Sequence, residues 1–398
     1  MRRAITGVLI GIVGLIAGIF LGANSSWMPE PVRSALIEPI AGENSVVTEQ
    51  AADLIESRYF REPDLARLDD ASIRGMVEEL RERYRDRFTH YFDPKQAAAF
   101  DEVLSGTFSG VGMTVGDLRA EGLSVGLVFR GSPADRAGLE PGDVIVSVDG
   151  EAIGGDPVDS VVSRIKGPEG TEVELGIRIQ GRGRKKDFTL SREEIRVPVA
   201  AGRVVSRDDL ELGHIRFSSF SEGSGFALRR ALRRVVDEGA DGIVLDLRGN
   251  GGGLLPEAII ATSNFVVRDE LVVETRSRTE GEMQYRTVGG RLDLPPVVVL
   301  MDRSTASAAE ILAAALRFYL DAPLVGIRSF GKGLFQQVIP LTNGGSLDLS
   351  VGEFVTASGQ SLAGGGLDPD VVVRDSRSEG SDRQLQRAFG VLAGRIEQ

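Results

Sequence analysis

A chain of 398 residues exceeds one ordinary core, so roughly two or three domains are expected. Its hydrophobic share of 42% and charged share of 26% are those of a folded globular protein, and a formal charge of −12 argues against a nucleic-acid partner, which needs Lys and Arg to neutralise phosphates. It has no cysteine and only 2 histidines, His90 and His214, which excludes disulfides, thiolate metal sites and cysteine nucleophiles; a hydrolytic base would be one of those histidines, a carboxylate, a lysine or a metal-bound water.

Arg2 and Arg3 precede an uncharged stretch, residues 4–23. At about 1.5 Å per residue such a helix spans roughly 30 Å, the thickness of a bilayer core. The basic pair on the cytoplasmic side places the remaining chain outside the cytoplasm. Residues 1–26 are therefore expected to be a retained anchor, with a cleaved signal peptide ending near Ala23-Asn24-Ser25 as the alternative. A linker follows over 27–44. Residues 45–104 read as a helical module, with apolar residues three and four apart at Val47, Ala51, Leu54 and Ile55 and again at Ile73, Met76, Val77 and Leu80. Turn formers over 86–94 are expected to interrupt it.

From residue 108 the texture changes to short β-type runs punctuated by glycine. Strands are predicted over 111–115, 123–129, 144–148 and 173–179, and short helices over 133–138 and 158–165, within a domain of residues 105–192. Over 193–375 β and α patterns alternate. The continuous apolar runs 242–247 and 297–301 suit strands covered on both faces. Each precedes a helical pattern, 255–265 and 307–319, which implies a sheet with helices packed on it. Residues 376–398 form a charged tail with a helix expected over 382–396.

Residues 301–310, Met-Asp-Arg-Ser-Thr-Ala-Ser-Ala-Ala-Glu, read as a strand end, a turn and a helix start. Ser307 is an N-cap by residue type; it is also a hydroxyl held at a strand-to-helix turn, beside free backbone N–H groups and the positive end of a helix dipole. The helix then runs about 18 Å away at about 1.5 Å per residue. The strand from Leu324 covers roughly 16 Å on the way back at about 3.3 Å per residue, so residues 329–333, Ser-Phe-Gly-Lys-Gly, arrive near Ser307. Lys332 is a solvated turn residue or a base. At a reference pKa of about 10.4 only about 1 lysine in 2,500 is neutral at pH 7. The base reading therefore needs an apolar pocket, for which Phe330, Leu334 and Phe335 are candidates. Gln336, four residues on, is a plain strand residue or an acceptor that orients the amine. Residues 245–253, Leu-Asp-Leu-Arg-Gly-Asn-Gly-Gly-Gly, place glycines between a buried strand and a helix. Neither a following Lys-Ser/Thr nor a G-x-G-x-x-G fingerprint accompanies them, so presentation of a glycine N–H to an oxyanion fits better than a phosphate cradle.

Together these segments resemble the carboxyl-terminal processing proteases, a bacterial and chloroplast family of tail-specific serine proteases with an embedded PDZ domain. The family pattern of Leu-Arg-x-Asn-x-Gly-Gly, Ser-Ala-Ser-Ala-Ser-Glu and Phe-Gly-Lys-Gly with a Gln four residues after the lysine stands here at 247–253, 305–310 and 330–336. The interval from Ser307 to Lys332 is that of the family. Phe108-Ser109-Gly110-Val111-Gly112, Gly131-Ser132-Pro133-Ala134, Pro141-Gly142-Asp143 and Gly366-Leu367-Asp368-Pro369-Asp370 match as well, and the resemblance covers about residues 45–375. Gly251 stands where a proline is usual, Gly249 where Asn or Asp is common, and Thr305 and Ala309 replace the outer serines of the nucleophile turn. None of these removes a reacting group.

The resemblance implies an α/β (α+β) multidomain fold: a crotonase-like ββα protease core with an inserted PDZ domain and a helical N-terminal module. It implies Ser307 as nucleophile, Lys332 as general base, Gln336 as the residue that positions Lys332, and the N–H groups of Gly252 and Ala308 as oxyanion hole, with neither cofactor nor metal. Gly110, Val111, Gly112 and Met113 would form the carboxylate-binding loop of the PDZ domain. Lys166, in Lys166-Gly167-Pro168, is the nearest match to a basic gating residue of related proteases. The implied function is an extracytoplasmic endopeptidase cutting proteins near their C-termini, with tailed protein substrates and the membrane as partners; helical elements at both ends leave a homodimer open. The alternative is a membrane-tethered PDZ scaffold with a silent core, against which intact Ser307, Lys332 and Gln336 speak. A histidine-based hydrolase would have to use His214, placed mid-strand, or His90, placed in the helical module.

Overall fold

The computed structural model describes residues 45–119, 122–180, 185–374 and 382–398. The anchor expected over 4–23 and the linker over 27–44 lie outside the described residues; among those described, no helix is long and apolar enough to cross a membrane. Among the described residues, those up to Glu79 belong to one compact unit and those from Leu80 to another. The described part of the first unit is α1 (Ser45–Arg58) and most of α2 (Leu65–Tyr84), whose last residues begin the second.

Residues 86–94 depart from expectation. They do not merely interrupt helices: β1 (His90–Phe92) runs antiparallel to residues 346–348 of the C-terminal core, with His90 opposite Asp348. Tyr91 turns inward, and the β-favouring Thr-His-Tyr-Phe run outweighs its helical surroundings. Asp86 sets up the strand by accepting the N–H groups of Phe88 at 2.9 Å and Thr89 at 3.2 Å. His90 therefore belongs to the core sheet. Helix α3 (Pro94–Ser105) follows, opened by an Asp93–Gln96 capping box with proline at its first position and closed at Gly106, φ +69°.

The next layer contains β2 (Thr107–Gly110), β3 (Met113–Arg119), β4 (Gly122–Val128), α4 (Pro133–Arg136), β5 (Val144–Val148), β6 (Glu151–Ala152), α5 (Val158–Ile165), β7 (Glu172–Arg178), β8 (Lys185–Ser191) and β9 (Glu193–Arg196). The strand expected from 111 begins at Met113, because Gly112 takes φ +80° against Ser132 and turns the chain between β2 and β3. The sheet order is β3-β4-β5-β7-β8, with β6 on the edge of β5 and β2 paired to β9. Val173, Leu175 and Ile177 alternate inward from β7 and meet Val161 and Ile165, one turn apart on α5.

The C-terminal core runs through β10 (Ala200–Arg207), β11 (Leu210–Phe217), α6 (Ser224–Asp237), β12 (Gly242–Asp246), α7 (Leu255–Ser263), β13 (Leu271–Ser277), β14 (Gly281–Arg286), β15 (Val297–Met301), α8 (Ala308–Leu320), β16 (Leu324–Gly326), β17 (Leu334–Pro340), β18 (Ser346–Thr356), β19 (Val371–Val372) and α9 (Arg383–Ile396). One sheet has the order β10-β11-β12-β15-β16-β19, parallel from β11 onward. A second has the order β1-β18-β13-β14, with β17 on β18.

Strand β15 explains why its sequence is apolar throughout. Val297, Val299 and Met301 face the cluster shared with α6, α7 and α8; Val298 and Leu300 face Leu385, Ala388, Phe389 and Leu392 of α9. Each such side chain contributes roughly 1.5–3 kcal/mol by burial. Arg248 ties α9 down, donating to Asp246 at 2.7 Å and to the helix-capping Asp382 at 2.7 Å. Burial pushes the Asp246 carboxyl up, but hydrogen bonds from His214 and Arg248 and the charge of Arg248 outweigh it and hold the group at about 2. His214 is thereby committed to a structural bond, 3.2 Å from Asp246.

Candidate active site

Two loops at the ends of β12 and β15 are laced together. Ala306 donates its N–H to Asn250 O at 3.0 Å, Thr305 Oγ1 donates to Leu247 O at 2.9 Å, and Gly249 N–H donates to Asp302 at 3.0 Å. Gly252 sits directly beneath the serine turn: with φ +94°, a Cβ there would meet Ala306 O at 2.7 Å and Ser307 Cβ at 2.8 Å. Only glycine fits so close an approach. The same loop is braced from below by Asn250, which donates to Phe217 O at 2.8 Å and accepts the Gly252 N–H at 2.9 Å.

Ser307 is the N-cap of α8, and its backbone is strained, with φ 57° and ψ −121°. A non-glycine residue there costs of order 1–3 kcal/mol and needs fixed support. Glu310 supplies it. This carboxylate, fully buried, accepts the Ser307 N–H at 2.9 Å and the Lys332 N–H at 3.0 Å on one oxygen. Its other oxygen accepts the Gly331 N–H at 2.9 Å and the Ser329 hydroxyl at 2.5 Å. Phe330 N–H adds a bond to Thr305 O at 2.9 Å. The helix-out, strand-back path thus ends with the serine turn and the lysine loop sharing one carboxylate. Ala308 opens the helix, where the first N–H groups have no intrahelical acceptor.

Sequence reasoning quoted Glu310 as the end of a motif and gave it no role. Its signal was available: Ser-x-x-Glu at a helix start is a capping pattern, which points the glutamate back at the turn.

Lys332 is half-buried, its amine 5.4 Å from the centre of the Phe88 ring. Phe88 in turn stands edge-on to Phe330, so the aromatic wall of the pocket comes from residues 86–92 as well as from the lysine loop. Burial pushes the amine below the usual lysine range, and the charge of Asp348 opposes that shift. Burial pushes the Asp348 carboxyl up, with Lys332 and His90 drawing it back and Asp86 adding to the rise. Among the described residues no hydrogen bond joins Ser307 Oγ to Lys332 Nζ. Gln336 does not reach the amine either: its Nε2 lies 3.3 Å from Leu334 O and 3.3 Å from Ser350 Oγ. Ser350 donates to Asp86, so residues 86–90 border both the lysine and Gln336.

A general base has to be neutral, and removing a neighbouring negative charge favours the neutral amine. Asp348→Asn is therefore expected to lower the Lys332 pKa further and move the acidic limb of kcat/KM to lower pH. A pH profile measures this; a limb that stays put or moves up contradicts Asp348 as the opposing charge.

The loop Gly110–Met113 lines a cavity of about 320 Å³ together with Phe108, Phe129, Ile165 and Lys166. Among the described residues the N–H groups of Val111 and Gly112 have no acceptor, while their carbonyls accept from Ala134 and Phe129 at 2.9 Å each. Lys166 is at the mouth, paired with Glu102 at 2.6 Å and lying 5.1 Å from the Phe108 ring centre.

Residues 211–373 match the model of peptidase family S41, and residues 125–179 match a PDZ domain. The carboxy-terminal processing protease CtpA of Bacillus subtilis is 33% identical over 354 residues, covering 85% of this chain and 74% of its own length. A carboxyl-terminal-processing protease of Synechocystis is 32% identical over 351 residues, covering 86% of this chain and 81% of its own. A solved structure from Bacteroides fragilis, given as an S41 protease, shares the fold with TM-score 0.53 at 20% identity, covering 85% of this chain and 91% of that one.

Proposed function

The chain belongs to the carboxy-terminal processing proteases of peptidase family S41, serine peptidases with a PDZ domain, and on that footing we propose that it cuts exported proteins near their C-termini with Ser307 as nucleophile and Lys332 as general base. The observation that supports this reading most is the Glu310 carboxylate, which holds the backbone of both residues on a single oxygen.

Ser307 Oγ attacks the scissile carbonyl carbon while the neutral Lys332 amine takes its proton. The N–H groups of Gly252 and Ala308 receive the oxyanion. The Lys332 ammonium then protonates the departing amine, and water hydrolyses the acyl-enzyme. The present arrangement is a resting one: the amine is under the charge of Asp348, Gln336 is bonded to Ser350 and the Gly252 N–H to Asn250. Assembly requires Lys332 to swing toward Ser307, Gln336 to follow it, and Gly252 N–H to exchange Asn250 for the oxyanion.

The PDZ domain receives the substrate's terminal carboxylate on the N–H groups of the 110–113 loop, and release of Lys166 from Glu102 gates the response. On this reading the uncharged stretch 4–23 directs the enzyme to the outer side of a membrane, as a retained anchor or as a cleaved signal peptide. Amidating the C-terminus of an unfolded substrate is expected to raise KM roughly tenfold or more, since hydrogen bonds to a charged group are the stronger kind. Equal KM for the free and amidated substrates contradicts tail recognition through the carboxylate.

A further inference from the structure

The tail cavity does not end at Lys166. A second cavity of about 320 Å³ shares Phe108, Lys166 and Val197 with it and continues past Ser218, Ser219 and Ser221. A third, of about 680 Å³, shares Val197, Val199 and Ser221 with the second and opens along the flank of α6. The three adjoin through these shared residues as a trough in three parts. Its middle section is walled by Ser218, Ser219 and Ser221, and the buried Phe220 between them donates its N–H to Gly252 O at 3.0 Å. The segment that walls the middle cavity is thereby bonded to the loop that bears the candidate oxyanion hole.

The charge of its far end is opposite to that of the protein. Arg196, Arg230 and Arg234 line it against one acidic side chain, Glu222, in a chain with 58 acidic and 46 basic residues. Arg230 and Arg234 lie one turn apart on the same face of α6 and are exposed. Among the described residues neither has a carboxylate within ion-pairing distance, and Arg196 donates only to the backbone oxygen of Glu222, at 3.2 Å. Val197, Pro198, Val199 and Ala227 give the groove an apolar floor, and Phe226, 56% exposed, stands at its rim. Unpaired guanidinium groups over an apolar floor suit an extended polypeptide whose side chains carry carboxylates.

We propose that this trough is an exosite for an acidic stretch of the substrate polypeptide upstream of its C-terminal tail, with Arg196, Arg230 and Arg234 as its recognition groups. This rests on the tail-processing reading. Val197 lines all three cavities, so the arginine-lined end adjoins the cavity assigned to the substrate's tail. Acidic side chains upstream then meet the arginines, and substrates with such a segment are held longer and preferred over neutral ones.

The test uses the full chain and two unfolded substrates with the same tail and cleavage region, one with a Glu/Asp-rich upstream segment and one with Gln/Asn in its place. For the wild type at low salt, KM is expected to be roughly fivefold lower for the acidic substrate with kcat unchanged, as for a few exposed charge pairs, and salt should shrink the difference. In the double variant Arg230→Glu/Arg234→Glu the preference should invert, while turnover of the neutral substrate stays at the wild-type level and shows that the fold is intact. Equal KM for both substrates, or a preference that survives the double variant, overturns the exosite. Binding of both peptides to Ser307→Ala protein, read by fluorescence anisotropy, tests the groove without turnover. Failure of the wild type to cut even the neutral substrate counts against the protease reading, whereas anisotropy alone then decides the exosite. Vesicles rich in anionic phospholipid provide the remaining arm: if the double variant loses vesicle binding but not its peptide preference, the arginines serve a membrane surface and the exosite is wrong.

Discussion

Replacing Ser307 or Lys332 by alanine is expected to lower kcat on an unfolded tailed substrate by about a thousandfold or more, with binding of a tail peptide unchanged. Each substitution removes one half of a unit: without the hydroxyl no acyl-enzyme forms, and without the amine nothing takes the hydroxyl proton. The two losses should not add, because either alone stops the same step. The double variant should be about as inactive as either single one. His90 and His214 are outside this unit. His214 is spent on Asp246 and His90 on the carbonyl of Phe88, 2.6 Å away, so their substitution should leave far more activity than loss of Lys332. A Lys332→Ala protein that cuts at the wild-type rate, beside a His90 variant that does not, reverses the assignment.

The second large effect belongs to Glu310. Glu310→Ala leaves the N–H groups of Ser307, Gly331 and Lys332 and the hydroxyl of Ser329 without their acceptor in a buried site. Unsatisfied buried donors cost about 1–3 kcal/mol each, so destabilisation of about 3 kcal/mol or more is expected. Glu310→Gln separates positioning from mere folding. An amide offers one accepting oxygen, and its NH2 group faces either the Ser307 and Lys332 pair of N–H donors or the Gly331 and Ser329 pair. Turnover should fall about a hundredfold or more in this variant while tail-peptide affinity, measured in parallel, remains that of the wild type. Near-normal turnover in Glu310→Gln would show that the strained serine turn holds itself.

Much of the core was legible because the physics there is local. Strands 242–246 and 297–301 are buried on both faces, so their uninterrupted apolar runs could be read as parallel strands under helices. The convergence of the serine turn and the lysine loop, whose backbones share Glu310, could be read from helix rise and strand rise. Elements decided by distant partners were not legible. Residues 90–92 have a locally β-favouring composition, but the run is too short to be read as a strand without its distant partner, residues 346–348. Asp348 is likewise one polar residue in an alternating strand, and its effect on Lys332 arises from a pairing across the fold. Gln336 shows the reverse case: the family pattern marks it, while its contacts in this structure are to Leu334 and Ser350, so its role depends on a rearrangement that a pattern does not display. Glu310 was readable in principle from its spacing to Ser307 and needed only the capping rule.

The most direct measurement is to treat the full chain with a serine-reactive fluorophosphonate and map the modified residue by peptide mass spectrometry, with Lys332→Ala and a His90/His214 double variant beside it. A single adduct on Ser307 is expected, retained in the histidine variant and lost or greatly slowed in Lys332→Ala. An adduct on another serine, or labelling of Ser307 at the wild-type rate without Lys332, would contradict a nucleophile activated by this lysine.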